Sequence, residues 1–343
     1  MRHKKTKILM LCFAHPVDDG RVTFREAATL RANGYRVAVL GRAGITGKIG
    51  GLRVHGVPTL AISNRYSGNM VIRFLLEPFS LIRFFFVCRR FIGKADVIHC
   101  HEYQSLLIAL LLKRKGQQKI VYDCHEFQPE LFAEMFNRSG GIIYRIIRNI
   151  FARYEKLLTS RVDGVVTVND FLVQRFRGIC DNVCNLPNYP SKNIFSDSNS
   201  GSVADDLQMR LQGRKVLVFA GYLSEDRGVI DLLYIMREIV KIRNDIALLL
   251  VGGTSCEDAF LKLIKELQLD DYVTVTGAFK YDELINYLRL ADIGVYLPMD
   301  ESWRLNYSIA TKIFQYCAVG LPVVLSDNAA HRYLMTQCEF AIL

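Results

Sequence analysis

The sequence predicts an α/β protein of two doubly wound domains, each a mostly parallel sheet with helices on both faces, facing one another across a cleft. Three observations carry this. Short apolar runs alternate with longer amphipathic ones along most of the chain. The alternation breaks once, over 191–213, and then restarts. The 343 residues, 50% of them apolar, are too many for one ordinary core and suit two domains of roughly 150 residues.

In the first half, Lys7–Phe13 reads as a strand, Arg21–Asn33 as a helix and Tyr35–Gly41 as a strand. Asp96–Cys100 and Lys119–Tyr122 are further strands with a helix over Ser105–Lys115 between them. Val165–Val168 is a strand, followed by a helix from Asp170. The run Ser196–Ser202 is small and polar without periodicity, which marks a linker. Beyond it, strands are expected at Val216–Phe219, Ile246–Val251, Val273–Thr276, Ile293–Leu297 and Pro322–Leu325. Helices fall at Gly228–Arg243, Asp258–Leu267, Tyr281–Leu290 and Ala310–Ala318. The domains are therefore 1–190 and 214–343, with 191–213 as the linker. The last residues, Phe340–Leu343, look like one more strand.

Composition excludes several classes. No uncharged apolar run reaches the ~18 residues of a membrane span. The basic start Met1–Lys5 leads into a short apolar run without a small-residue cleavage site, so it reads as a first strand rather than an export signal. Nine scattered cysteines suggest reduced thiols in the cytosol. His99 and His101 share a strand face with no third ligand near in sequence, so no metal is assigned there. The net charge of +10 is unevenly spread: +15 over residues 1–190 and −5 over 191–343. The positive half calls for an anionic partner or is a solvated basic surface. Met70–Ile92, with many Phe and Leu beside Arg73, Arg83, Arg89 and Arg90, reads either as a basic amphipathic segment lying on an anionic bilayer or as a core helix pair. No nucleic-acid reader motif is present.

Several segments could carry chemistry. A dinucleotide fingerprint is missing, since Gly41-x2-Gly44-x2-Gly47 has the wrong spacing. There is no Walker A lysine, and D-x-D and G-x-S-x-G are both absent. Gly221 through Gly228 follows a strand and opens a helix, so free backbone N–H groups and Arg227 can hold an anion. Lys312 and Gln315 share a helix face just after Ser308; they suit a diphosphate and a ribose, or form an ordinary amphipathic helix. His125 and Glu126 end a strand, where they orient a substrate hydroxyl or serve structure. Gly20 and Arg21 lie on the loop between the first strand and helix, at the rim of the expected cleft.

Taken together these stretches resemble a glycosyltransferase of GT-B architecture, with two Rossmann-like domains, and most of all family 4 (group 1). The likeness runs through Asp19-Gly20-Arg21-Val22, Asp96–His101, Tyr122–Glu126, Pro187-Asn188, Gly221–Gly228, Val251-Gly252-Gly253, Val275-Thr276-Gly277 and Thr311–Val324. The resemblance implies a retaining transfer from a nucleoside-diphosphate sugar, usually of UDP or GDP, with no required metal or other cofactor. The second domain would hold the donor and the first the acceptor. By position, Arg227 matches the residue neutralising the leaving diphosphate, and Gly221 the close-approach glycine. Gly277, Ala278 and Phe279 match the base-reading loop, and His125 the histidine beside the transferred sugar.

The sequence departs from the family pattern in three places. Gln315 and Tyr307 stand where a Glu-x7-Glu element is usual, Tyr222 stands where an arginine is common, and the final helix of the family lies beyond Leu343. The expectation is a cytosolic enzyme, peripheral on the inner face of the plasma membrane. It would build surface polysaccharide on a lipid-linked acceptor. The alternative is a non-catalytic GT-B subunit.

Overall fold

The computed structural model describes residues 5–43, 48–62, 70–136, 141–190, 195, 205–254, 257–279, 281, 283–299, 302–337 and 341–342. Gly44, Gly47, the run 196–202, the side chain of Arg73, Phe340 and Leu343 lie outside the described residues. The chain divides into two compact units, one ending at Pro187 and the other starting at Asn188.

Unit 1 begins with β1 (Lys7–Pro16), a π-helical segment (Gly20–Ala27) and α1 (Ala28–Ala32). It continues through β2 (Arg36–Arg42), β3 (Gly50–Val54), β4 (Val57–Ile62), α2 (Met70–Phe91), β5 (Val97–His101) and α3 (Glu102–Leu112). It closes with β6 (Lys119–Cys124), α4 (Gln128–Glu134), α5 (Ile142–Thr159), β7 (Gly164–Thr167), α6 (Asp170–Phe176) and β8 (Val183–Asn185). The sheet order is β3-β4-β2-β1-β5-β6-β7-β8, parallel except where β3 runs against β4. Leu9 through Phe13 are buried without alternation, as a central parallel strand covered on both faces requires.

Unit 2 carries α7 (Asp205–Leu211), β9 (Lys215–Ala220), α8 (Val229–Val240), β10 (Ile246–Val251), α9 (Glu257–Glu266), β11 (Val273–Val275) and α10 (Leu284–Leu288). Then come β12 (Ile293–Tyr296), α11 (Trp303–Tyr307), α12 (Thr311–Ala318), β13 (Val323–Leu325), α13 (Ala329–Met335) and β14 (Ala341–Ile342). All six strands are parallel, in the order β11-β10-β9-β12-β13-β14. Both sheets thus have the doubly wound topology expected from the alternation of apolar runs. The hairpin β3–β4, the helices α4, α5, α11 and α13 and the strand β8 were not foreseen, and a helix, α7, occupies the end of the segment read as linker.

One device sets strand register in both sheets. An aspartate just before one strand accepts a backbone N–H from the first or second residue of its neighbour. Asp96 takes Lys7 N at 2.8 Å, Asp163 takes Ile120 N at 2.9 Å and Asp292 takes Val216 N at 2.8 Å. The amino ends are pinned, so the carboxyl ends, where ligands of such sheets bind, arrive in fixed register.

In unit 2 a second constraint acts near those ends. The buried Tyr316 hydroxyl accepts from Ala220 N at 2.9 Å and donates to Val295 O at 3.4 Å, tying α12 to β9 and β12. Its ring lies where a side chain on Gly294 would go. We expect Gly294→Ala to overpack this contact and cost about 1–3 kcal/mol in a denaturant melt. A change under a few tenths would show that the ring moves freely.

Candidate functional site

In unit 2 the loops after β9, β10 and β11 come together through glycines. Gly221 has φ +125° and donates to Val251 O at 2.8 Å. A Cβ at Gly252 would overlap the Gly221 carbonyl, so only glycine permits this approach. Gly252 bridges Gly277, and Leu223 N donates to Gly253 O at 3.0 Å. Ala278 packs beside Gly253, and the Phe279 ring lies 6.4 Å from that of Tyr287. Gly228, at φ +76° and against the Leu297 carbonyl, starts α8.

Lys312 is the unusual group here. α12 buries it, with Nζ 3.4 Å from the centroid of Phe219 and 4.7 Å from that of Tyr296. Ring faces attract a cation but do not accept three N–H donors. Among the described residues, Nζ has no hydrogen-bond partner. Burial holds its pKa well below the usual lysine range, and the nearby Arg227 guanidinium adds to this. A Cβ on Gly221 would come 3.3 Å from Lys312 Nζ and 3.8 Å from Arg227 Nη1. The bare glycine therefore leaves room beside two cations. Gln315 is buried one turn further along α12, and Ser308 is half-buried just ahead of it. Two cations, a helix start and turn backbone at one strand end make an anion site.

Unit 1 gathers titratable side chains at the ends of β1, β5 and β6. Arg21 is buried. Its Nε and Nη2 donate to Asp123 at 3.0 and 2.9 Å, Nη1 donates to Leu186 O at 3.1 Å, and Glu26 lies 2.8 Å away. Asp19 caps the π-helical segment by accepting from Arg21 N and Val22 N at 2.8 and 2.9 Å. Burial opposes charge on Asp123, but Arg21 and the imidazoles of His101 and His125 outweigh it and keep its pKa well below the usual range. His101 Nδ1 lies 3.2 Å from Asp123, and His99 stacks on His101 at 4.7 Å. Burial, aided by His101, pushes His99 down to about 3, so it is neutral at pH 7. His125 is half-buried, with Nδ1 3.8 Å from Asp123 Oδ1. Glu26, His99, His101 and Asp123 place ligand-type atoms within 4.8 Å of one another, the donor types of a metal site. Arg21 already supplies a fixed positive charge between the two carboxylates.

This geometry can be set beside known proteins. The family described as "Glycosyl transferase 4-like domain" matches residues 20–182, and "Glycosyl transferases group 1" matches residues 214–341. The chain belongs to the group 1 glycosyltransferases. The uncharacterized glycosyltransferase MJ1607 of Methanocaldococcus jannaschii is 24% identical over 247 residues, 69% of this chain and 58% of MJ1607. YtcC of Bacillus subtilis is 25% identical over 127 residues, 35% of this chain and 30% of YtcC. The matches thus span less than two thirds of either curated relative. Sucrose-phosphate synthase from Thermosynechococcus elongatus shares the fold with a TM-score of 0.73 at 17% identity, over 99% of this chain and 86% of that one. Anabaena Alr3699/HepE in complex with UDP and glucose does so at 0.67 and 16%, over 96% and 83%. The fold is GT-B, with two Rossmann-like units.

In this glycosyltransferase, Gly221, Arg227 and Lys312 converge, and the loop Gly277–Phe279 meets them through Gly252. Gly20 opens the π-helical segment, and its carbonyl accepts from Arg25 Nε at 3.2 Å. Arg21 is buried, its guanidinium committed to Asp123, Glu26 and Leu186. Glu126 is half-buried beside His125. Two features escaped the sequence reading. One is His15, against His125. The other is α5, whose exposed face carries Ile142, Ile143, Ile146, Ile150 and Leu157 among Arg145, Arg153 and Lys156. Spacing of three and four residues was its only sequence signal.

A buried, unpartnered lysine costs stability when no anion is bound. Lys312→Met should therefore leave unit 2 as stable as before or more so, while weakening anion binding. The unfolded chain holds the lysine proton to about pH 10.4 and the folded chain releases it well earlier, so stability should rise with pH up to about 10. Melting curves of Lys312→Met lacking part of that rise would confirm the buried charge; an unchanged slope would deny it.

Proposed function

We propose that this glycosyltransferase moves a hexosyl group from a UDP- or GDP-sugar to a lipid-linked or polysaccharide acceptor, with retained anomeric configuration, in surface glycan synthesis. The observation that carries the donor assignment is Lys312 Nζ, buried without a hydrogen-bond partner beside Gly221 and Arg227, where burial opposes its charge until an anion arrives. A nucleoside diphosphate supplies the missing negative charge. Arg227 and Lys312 then stabilise the charge that develops on the leaving diphosphate, the role a divalent cation takes elsewhere. On this reading the transfer needs no resident metal. Gln315 offers an amide to the ribose in place of a carboxylate. Retention rests on the family resemblance, and His125 with Glu126 supply the acceptor-side groups.

The acceptor assignment is supported by the surface of unit 1. α2 buries Phe84 and Cys88 and leaves Leu76, Phe79, Ile82 and Phe86 exposed beside Arg83, Arg89 and Arg90. α2 and α5 both pack against α3, so two basic, apolar helix faces flank one helix. Among the described residues no helix is long and apolar enough to cross a membrane. These faces suit a peripheral seat on anionic lipid at the cytoplasmic face of the plasma membrane, where a lipid-linked acceptor resides. Gln315, Tyr307 and Tyr222 favour the second reading, a non-catalytic subunit that binds nucleotide without transfer.

A thermal-shift series with UDP, GDP, ADP and their sugars tests the donor site. A ligand at a hundred times its Kd should add about 2.7 kcal/mol. Arg227→Ala should weaken that nucleotide by about 1.5–3 kcal/mol by calorimetry. No response from the folded wild type would remove the donor assignment. Binding without sugar transfer would favour the non-catalytic subunit.

Vesicle sedimentation tests the membrane seat. Wild type should pellet with phosphatidylglycerol vesicles and stay free of phosphatidylcholine ones. Gln at Arg83, Arg89 and Arg90, or at Arg145, Arg153 and Lys156, should release it. Undiminished pelleting of both triple variants would rule these helices out.

A further inference from the structure

His125 does not stand alone. His15, on the last turn of β1, places its Nε2 2.8 Å from Nε2 of His125, with the ring centroids 4.8 Å apart. At that distance one ring donates and the other accepts. Glu102 Oε1 lies 3.2 Å from the same His15 nitrogen, and Asp19 Oδ2 lies 3.5 Å from His15 Nδ1. Both carboxylates are fixed from behind. Asp19 Oδ1 accepts the two backbone N–H groups that cap the π-helical segment. Glu102 Oε2 accepts from Phe13 N at 3.2 Å and from the Ser105 hydroxyl at 3.3 Å. Glu102 is itself in the left-handed region, at φ +65°, which a buried non-glycine residue occupies only at a cost. That strain delivers its carboxylate to His15.

The groups facing His15 are Asp19, Glu102, Glu126 and His125, with Arg42 bonded to the carbonyl of the preceding Ala14. Burial works against a charged ring, but Glu102, Asp19 and Glu126 outweigh it and raise His15 to about 9. His15 is therefore the donor of the pair and His125 the acceptor. His15 is also the outer ring: its side chain is 29% exposed, against 9% for His125.

We propose that His15 is a second substrate-binding residue of unit 1, donating from Nδ1 to a hydroxyl oxygen of the acceptor glycan while its Nε2–H holds His125 in one tautomer. This rests on the reading of unit 1 as the acceptor half. Asp19 Oδ2 lies 3.5 Å from Nδ1, so a sugar hydroxyl can come between them, accepting from Nδ1–H and donating its own proton to Oδ2, while Oδ1 keeps its two backbone N–H groups. Glu102 and His125 keep the ring in position meanwhile. A neutral sugar hydroxyl fits better than an anion, since three carboxylates face this ring.

The test uses the whole chain, with octyl β-D-glucoside as a soluble probe of a lipid-borne sugar. Nitrogen-15 spectra of the histidine rings should show His15 charged at neutral pH, with a midpoint near 9, and the glucoside should shift its Nδ1 resonance. His15→Ala should weaken the glucoside at least about tenfold, the worth of a charge-assisted hydrogen bond. His15→Gln, which keeps a neutral donor and guards against a folding defect, should lose less. The pair stabilises the fold fully below pH 6.5, and that gain is lost as pH rises through about 9. His15→Gln should melt without that alkaline decline. A His15 midpoint near 6.5 overturns the proposal, as does a glucoside that leaves its ring unmoved or binds His15→Ala within twofold of wild type. The nucleotide response separates the two failures: an intact response with an indifferent His15 sinks this inference alone.

Discussion

A charge removed from water at the end of a parallel strand must be met by an opposite charge, and the two units answer this demand differently. In unit 1 the answer is internal. Arg21 makes two bonds to Asp123 and one ion pair to Glu26, and it also holds Leu186 O after β8. The π-helical segment and the ends of β6 and β8 are tied by one guanidinium whose planar fork suits a carboxylate. Deleting either partner would strand a buried charge, the costly direction for such pairs. In unit 2 the demand is left open. Among the described residues Lys312 Nζ has ring faces but no hydrogen-bond partner; Arg227 adds a second positive charge, and the more weakly acting Asp226 does not offset burial. One unit is closed to anions and the other is poised for one. That division is the physical support for the proposal that unit 2 holds the donor diphosphate.

The legibility of these features follows the range of the interactions behind them. Strands of both sheets were readable because parallel strands are short continuous apolar runs, and Lys312 with Gln315 because three residues span one helix face. The hairpin β3–β4 was not readable. Its turn is His55-Gly56, with φ +47° and +75°, and histidine is not among the residues that usually announce a left-handed turn. The burial of Arg21 was not readable because its partner Asp123 lies 102 residues away. His15 had no local signal at all. Its significance arises from Glu102 and His125, which β5 and β6 deliver from either side of α3. Glycine motifs predicted unit 2 better because each glycine answers a local need, an approach of backbone to backbone.

The surface of unit 1 shows why composition alone could not separate a core helix from a surface one. Met70–Phe91 divides between the two. Phe84 and Cys88 are spent on the core, with the Phe84 ring 5.5 Å from that of Phe13 on β1, while Phe79, Ile82 and Phe86 remain outside. α5 divides in the same way. Glu155 turns inward, 2.9 Å from Arg175, and Phe151 stacks 3.7 Å from Phe132 of α4. The one acid of that helix is thereby removed from its outer face, which is left with isoleucines and cations. Exposed isoleucine adds nothing to phosphate-backbone recognition, where cations and polar donors suffice. It adds much at a bilayer, where each buried apolar group contributes and each nearby cation adds about 1 kcal/mol on an anionic leaflet. The +15 of the first 190 residues is thus divided in its effects. Arg21 and Arg175 hold the interior together, and Arg89, Arg90, Arg145 and Arg153 on α2 and α5 are left at the surface.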